Sequence, residues 1–477
     1  MASLHRNHGP DTVTLSTIAN LTTDDAIHKI DMEIAHLECQ IRALRELRNS
    51  VLPISRVPTE ILLEVFLRCH ELDYGRSKSR LVLSWVSRHW RYLVLGHPAL
   101  WSSIDIFQTD LLGPPSPIVD HLQQCFTRSR NTPLSIAYYG PRSHILSMCS
   151  FQIHRIRQLR INHQDTNDEY EPLSDAWQQP APLLVSLDLI GINLEDISFG
   201  GAHPPLRSLL LESCRHFWDS PITSLSTITT LEINRPADRI LLAVFIQRLQ
   251  ALPSLRCCRL HACLEFTPTV FDPPIRLPSL EYLSVIDLYR DSTSQFLHCL
   301  NTSGISLQVI DELVEASEED FKGSFQWFKG YQSEFWQDIR YIYVKREIDA
   351  RAIDSFVVTI GSNHSRQFTF GVDSLWDKFD FDPTIHASGY LQLENVQGMS
   401  FDSISVDGLI SFGPLPRLGI LELRNMEGDF LGWANSSSKG LFPSVTKLKV
   451  NGVLYSGFES FIDENKELNL QNLELKA

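Results

Sequence analysis

The spacing of apolar residues divides the chain into stretches of different period. From Asp24, the residues Ile27, Ile30, Ile34, Leu37, Ile41 and Leu44 alternate steps of three and four among Asp, Glu, Lys and Arg. That is the a/d seam of one long helix over 24–51, with Asp24 placed to cap its start. Three heptads are the lower limit for a coiled coil, so the seam predicts either a dimerising helix or one laid along the rest of the chain. Residues 1–23 are polar and aperiodic and are expected to be disordered.

Between Leu52 and Trp101 the pattern predicts two or three short helices. Pro58 stands at a first-turn position where its missing N–H costs nothing, Glu60 suits the positive end of a helix dipole, and Ile61, Leu62, Val65 and Phe66 follow at helical spacing. Apolar residues run nearly all round this helix, more than so short a segment can bury alone, which points to a partner as part of the cover. After Trp101 come a short strand (SSIDI), a Pro/Gly-rich turn from Gly113 to Pro117, an amphipathic helix carrying Val119, Leu122, Cys125 and Phe126, and a strand at LSIAYY.

From Ile156 onward a strand of the form apolar-x-x-apolar-x-apolar recurs. Its middle residues fall at Leu159, Leu187, Leu209, Leu231, Cys258, Leu283, Ile310, Ile342, Phe368, Leu391, Leu421, Leu448 and Leu473, in steps of 22 to 32 residues. Several units open on Pro beside an apolar residue (PPLRSL, LPSLRC, LPSLEYL, LPRLGIL, FPSVTKL), which suits a loop entering a strand. Stacked parallel strands bury the alternate apolar positions and turn the residues between them to an open face. Arg259, His261, Tyr282, Tyr341, Tyr343 and Tyr390 fall on that face, with Lys345, Glu422 and Arg424, and aromatic and Arg side chains are what interface hot spots favour. The stretch from Ile305 to Asp338, acidic and then aromatic, fits the repeat least and reads as an insertion or an atypical unit.

Charge and cysteine usage narrow the function. Up to Trp101 there are 12 Lys and Arg against 11 Asp and Glu, leaving 30 against 46 beyond it, so the whole of the net charge of −15 lies C-terminal to Trp101. A nucleic-acid surface needs the opposite sign. Nine scattered cysteines without a C-x-x-C pair fit a reducing compartment, and no apolar stretch reads as a signal peptide or a membrane span, so cytoplasm or nucleus is expected and no membrane partner. No phosphate loop, G-x-G-x-x-G, H-E-x-x-H or G-x-S-x-G is present, so no enzyme and no cofactor is expected. Cys257, Cys258, His261 and Cys263 are the one local Cys/His group, but the strand period sends Cys258 and Cys263 inward and His261 outward, so no metal site is expected.

The order V-P-x-E-I-L-x-x-V-F (Val57–Phe66), then L-x-L-S-W-V-S-R-x-W-R-x-L (Leu81–Leu93) and P-x-L-W (Pro98–Trp101), resembles an F-box over 52–106. Beyond it, 107–477 is similar to an irregular leucine-rich-repeat region. The fold implied is a small all-α F-box followed by an α/β solenoid with its parallel strands on the concave face. The resemblance implies a Skp-type adaptor and a cullin scaffold as partners, with Val57, Pro58, Ile61, Leu62, Leu83, Trp85 and Val86 contacting the adaptor and the repeats receiving a target protein. It further implies a substrate receptor of a ubiquitin ligase, or alternatively a scaffold that binds partners without promoting ubiquitination.

Overall fold

The computed structural model describes residues 21–72, 77–107, 115–140, 144–163, 178–194, 199–201, 203–215, 226–265, 274–287, 290–301, 305–313, 317–330, 340–348, 354–362, 366–374, 379, 381–391, 393–413, 415–425, 444–451 and 472–476. The expected disorder of 1–23 therefore lies almost wholly outside the described residues. The chain folds as two compact units, Met1–Ala137 and Tyr138–Ala477.

The first unit opens with helix α1 (Thr23–Ser50), capped by Thr22, whose hydroxyl accepts from the Asp25 N–H; Asp24, the expected cap, sits in the first turn. A 3-10 turn (Pro53–Arg56) leads to α2 (Thr59–Leu72), α3 (Ser77–Val86) and α4 (Arg88–Gly96), and a second 3-10 turn holds Pro98–Trp101. Ser87 stops α3 and caps α4 by accepting from the Trp90 N–H. Strand β1 (Ser103–Ile106), helix α5 (Pro115–Arg128) and the start of β2 (Leu134–Tyr139) complete the unit, so it runs beyond the expected boundary at 106.

The reason is a shared core. Leu62 and Phe66 of α2, Leu93 and Val94 of α4, Leu100 and Trp101, and Leu122 and Cys125 of α5 are all buried. Trp90 packs on Phe66 with ring centroids 4.7 Å apart. Arg80 is buried too, donating to the Leu100 carbonyl at 3.1 Å and lying over the Trp101 ring, while Arg128 of α5 stacks on that indole at 5.0 Å. Burial pushes the Cys125 thiol up despite these neighbouring cations.

The second unit is built on a largely parallel ladder. Strands β3 (Ile156–Asn162), β4 (Ser186–Ile190), β5 (Ser208–Glu212) and β6 (Thr230–Asn234) pair side by side in register. They continue into β8 (Cys257–His261), β10 (Tyr282–Asp287) and β11 (Ser306–Leu313), while β7 (Ile240–Leu241) and β9 (Leu264–Glu265) form a separate small pair. The expected middle residues Leu187, Leu209, Leu231, Cys258 and Leu283 stand opposite one another and are buried. This parallel sheet with intervening helices is an α/β arrangement compatible with a solenoid.

Two local devices make the repetition. Three of the Pro-opened entries close as β-turns with Pro at the second position: Leu255 N–H donates to Leu252 O, Leu280 to Leu277 and Leu418 to Leu415. At the exits, the residue after the strand takes a left-handed conformation: Gly191, Ser213, Arg235, Ala262, Ser403 and Asn425. The amide N–H of Gly191, Ser213, Arg235 and Ser403 donates to the last carbonyl of the neighbouring strand, and that of Ala262 to the Ile286 carbonyl near the end of β10, which satisfies the corner through the backbone. The Cys214 thiol adds side-chain contacts, lying 3.3 Å from Leu189 O and 3.4 Å from Glu212 O as a donor shared between them.

The ladder departs from the expected sequence order after β11. Strands β12 (Tyr341–Ile348), β13 (Asp354–Ser362) and β14 (Arg366–Ser374) form an antiparallel meander, and β14 rather than β12 pairs with β11, so the order runs β11-β14-β13-β12-β15. The links between these strands are too short to cross over for parallel pairing, and only hairpins can close them. The strand expected around Leu391 is absent as well; the chain turns there and β15 is Gly398–Asp402, with Met399 and Phe401 inward. Beyond it β16 (Ile420–Arg424), β17 (Lys447–Asn451) and β18 (Asn472–Lys476) resume parallel register.

The stretch that fitted the repeat least is thus a ladder strand, β11, followed by a helix (Glu318–Gly330) whose Phe321 and Phe325 pack against Phe356 and Phe370 of the meander. Tyr331, Phe335 and Trp336 lie outside the described residues. No described helix is long and apolar enough to cross a membrane.

Candidate functional site

In the first unit, adjacent residues of α2 have opposite fates. Leu62 is 1% exposed and belongs to the core, whereas Ile61 is 55% exposed. Leu62, expected at the adaptor surface, is therefore a core residue, because the stripe that contains Phe66 and His70 is the one that turns inward. Ile61, Val65 and Leu72 form the outward stripe of α2. On α3, Trp85 is 68% exposed and Val86, Leu81 and Val82 are open with it, while Leu83 is half-buried. Val57 is half-buried and Pro58 exposed at the entry to α2.

The outward stripes of two neighbouring helices thus carry Ile61 and Val65 on one and Leu81, Val82, Trp85 and Val86 on the other. Val65, Leu81 and Val82 are not among the expected adaptor contacts, although their four-residue spacing to Ile61, Trp85 and Val86 is legible in the sequence. Arg68, between Val65 and Leu72, is held by Glu64 and Glu71 on the same helix, an exposed pairing that adds little stability. The surface is apolar, and Arg68 within it is already paired.

Compared with known protein families and with curated proteins, the chain gives no match.

In the second unit the open face of the sheet is polar and cross-linked strand to strand. Arg160 of β3 donates to Asp188 of β4 at 2.6 Å and to the Tyr139 hydroxyl at 3.3 Å. Arg259 of β8 reaches Glu232 of β6 at 3.4 Å and stacks on Tyr282 of β10. The Tyr282 hydroxyl donates to Gln308 of β11 at 2.5 Å. At the exit edge Glu312 of β11 lies buried and accepts from His261 at 2.8 Å and from Arg235 at 3.5 Å through one oxygen, its other oxygen having no partner among the described residues. Cys258 and Cys263 are buried while His261 turns outward to Glu312; burial pushes the Cys258 thiol up.

Burial raises the Glu312 carboxyl, but the hydrogen bonds and charges of His261 and Arg235 outweigh it and leave the group below its usual range. A carboxylate held low in the folded state contributes stability above its unfolded range, and that contribution is lost as pH falls through the folded range. Denaturation of wild type and Glu312→Gln should therefore show a stability advantage for wild type near neutrality that shrinks steadily below about pH 4.5. A difference that stays constant with pH would mean that the carboxylate charge is not what the cluster uses.

Of the remaining expected contacts, Tyr341 and Tyr343 sit on β12. The Tyr341 ring lies across the neighbouring strand so closely that a Cβ on Gly398 would stand 2.4 Å from it. Tyr343 donates to Asp402 at 3.1 Å, and burial together with that carboxylate pushes its phenol up to about 12. Arg424 pairs with Glu422 on the same strand at 3.0 Å. Tyr390 is not on the open face: without a strand at Leu391 it falls in a turn, and its ring lies 6.3 Å from that of Phe325. The structure therefore groups Arg259, His261 and Tyr282, places Tyr341 and Tyr343 on a separate part of the sheet, and removes Tyr390. Among the described residues, no group of three or more Cys, His, Asp or Glu is arranged to hold a metal ion.

Proposed function

We propose that this chain is the substrate-recognition subunit of a Skp–cullin–F-box ubiquitin ligase. Its first unit acts as an F-box that docks a Skp-type adaptor, and its second acts as an irregular leucine-rich-repeat array that holds a target protein. The observation that carries this reading is the uncovered apolar surface of Ile61, Val65, Trp85 and Val86, made largely of residues that carry the F-box resemblance. An exposed Trp among aliphatic side chains is a typical anchor for a protein partner. The strand-end turns and left-handed corners support a repeat array, and the polar sheet face with Arg259, Tyr282 and Glu312 supports protein recognition. In this role the chain breaks no bond: it raises the concentration of a target near the enzyme that modifies it.

The test is adaptor capture followed by target turnover. The chain should co-purify with a Skp-type adaptor and a cullin, and proteins bound by its second unit should accumulate when the cullin is inactivated. Adaptor capture with no change in any bound protein would make it a scaffold; no adaptor capture would remove the reading altogether.

A further inference from the structure

Helix α1 buries no residue in its own unit, yet it carries one continuous apolar stripe. Ile27, Ile34 and Ile41 occupy the a positions of consecutive heptads and Ile30, Leu37 and Leu44 the d positions, and all six are exposed. A 28-residue helix is about 42 Å long, and helices of this kind draw most of their stability from packing the apolar face. We infer that the cover is a second copy of this chain, joined to the first through a parallel two-stranded coiled coil along α1.

Three observations select that occupant. The residue types are sorted: β-branched Ile fills every a position, and Leu fills two of the three d positions, the combination that favours two parallel strands. The heptad runs without insertion from the capped N-terminus to Leu44, and Arg48 then takes the next a position and ends the apolar seam. The contact that ties α1 to α4 is on the far side: Glu46, an f residue, pairs with Arg88 at 2.6 Å, so the helix is held by its back while the seam faces away. Met32 and Cys39 also lie at f and would remain outside the pair.

The flanks make the pairing sensitive to salt. In parallel register Glu33 at g stands opposite Glu38 at e of the other copy, a like-charge pair flanking the core on each side, while Gln40 meets Arg45. Screening relieves that repulsion, so association tightens as salt rises.

Sedimentation equilibrium of the full chain over a concentration series is expected to show twice the chain mass. It should return to a single chain mass in Ile34→Asp/Leu37→Asp, with unfolding of the two compact units unchanged because neither side chain is buried. In a Cys39→Ser/Cys69→Ser background, Ile34→Cys should form an intermolecular disulfide on oxidation and Ala35→Cys, at an outward b position, should not. Raising salt from about 0.05 to about 0.5 M should tighten the dimer severalfold. A single-chain mass at every concentration, or a dimer indifferent to Ile34→Asp/Leu37→Asp, would overturn self-association along α1. A dimer that never links through Ile34→Cys would overturn the parallel register.

Discussion

Replacing Asp354 with Ala is expected to destabilise the second unit by about 3–5 kcal/mol, the usual effect of removing one partner of a buried ion pair. Asp354 opens β13 with no exposed side-chain surface, and its two carboxylate oxygens take the Arg346 guanidinium at 3.0 and 2.6 Å. One of those oxygens also accepts the Phe379 N–H at 3.1 Å. The substitution takes the Asp354 carboxylate away from a part-buried guanidinium and from the buried Phe379 N–H, beside the cluster where Phe321 meets Phe356, Phe379 and Phe381. Asp354→Asn keeps the shape and should recover only part of the loss. Because the chain has two units, the change should be read as a shift in the urea midpoint of one transition with the other unmoved. A loss below about 1 kcal/mol would mean that the pair does not hold the meander in place.

The second large effect is a contrast between neighbours. Leu62→Ala is expected to cost about 2–5 kcal/mol, since it removes a fully buried side chain packed beneath α2 and leaves a cavity. Ile61→Asp, one residue earlier, should change stability by no more than about 0.5 kcal/mol, because a surface substitution away from special features rarely does more. Thermal unfolding of both variants settles which stripe is core. If Ile61→Asp proved the more damaging, the exposed stripe would be part of the unit's own interior and no docking surface would remain there.

Periodicity made much of this architecture legible. Helix α1, the helical segment 52–101, β1, α5, β2 and the strands centred on Leu187, Leu209, Leu231, Cys258 and Leu283 all appear where their apolar spacing placed them. The meander was missed because a period-two strand does not declare the direction of its neighbour. The informative feature was the short separation between YIYV, FVVTI and FTFGV, which excludes a crossover. Tyr390 was misplaced through the same step, by extending a regular spacing across a region that breaks it. Leu62 was assigned to the surface because on a helix that is apolar nearly all round, sequence alone does not say which stripe the rest of the fold covers. The His261–Glu312–Arg235 cluster was beyond reach, since Glu312 lies 51 residues from His261 and meets it only through strand register.

Direct titration of a purified Skp-type adaptor into the full chain, wild type against Ile61→Asp/Trp85→Ala, tests the proposed function most directly. Both changes fall on exposed side chains, so the variant should unfold as wild type does. The account predicts tight binding by wild type and a loss of at least about 100-fold in the variant, the removal of two central anchors worth about 3 kcal/mol or more. Equal affinity in both proteins, or no binding by wild type, would contradict it.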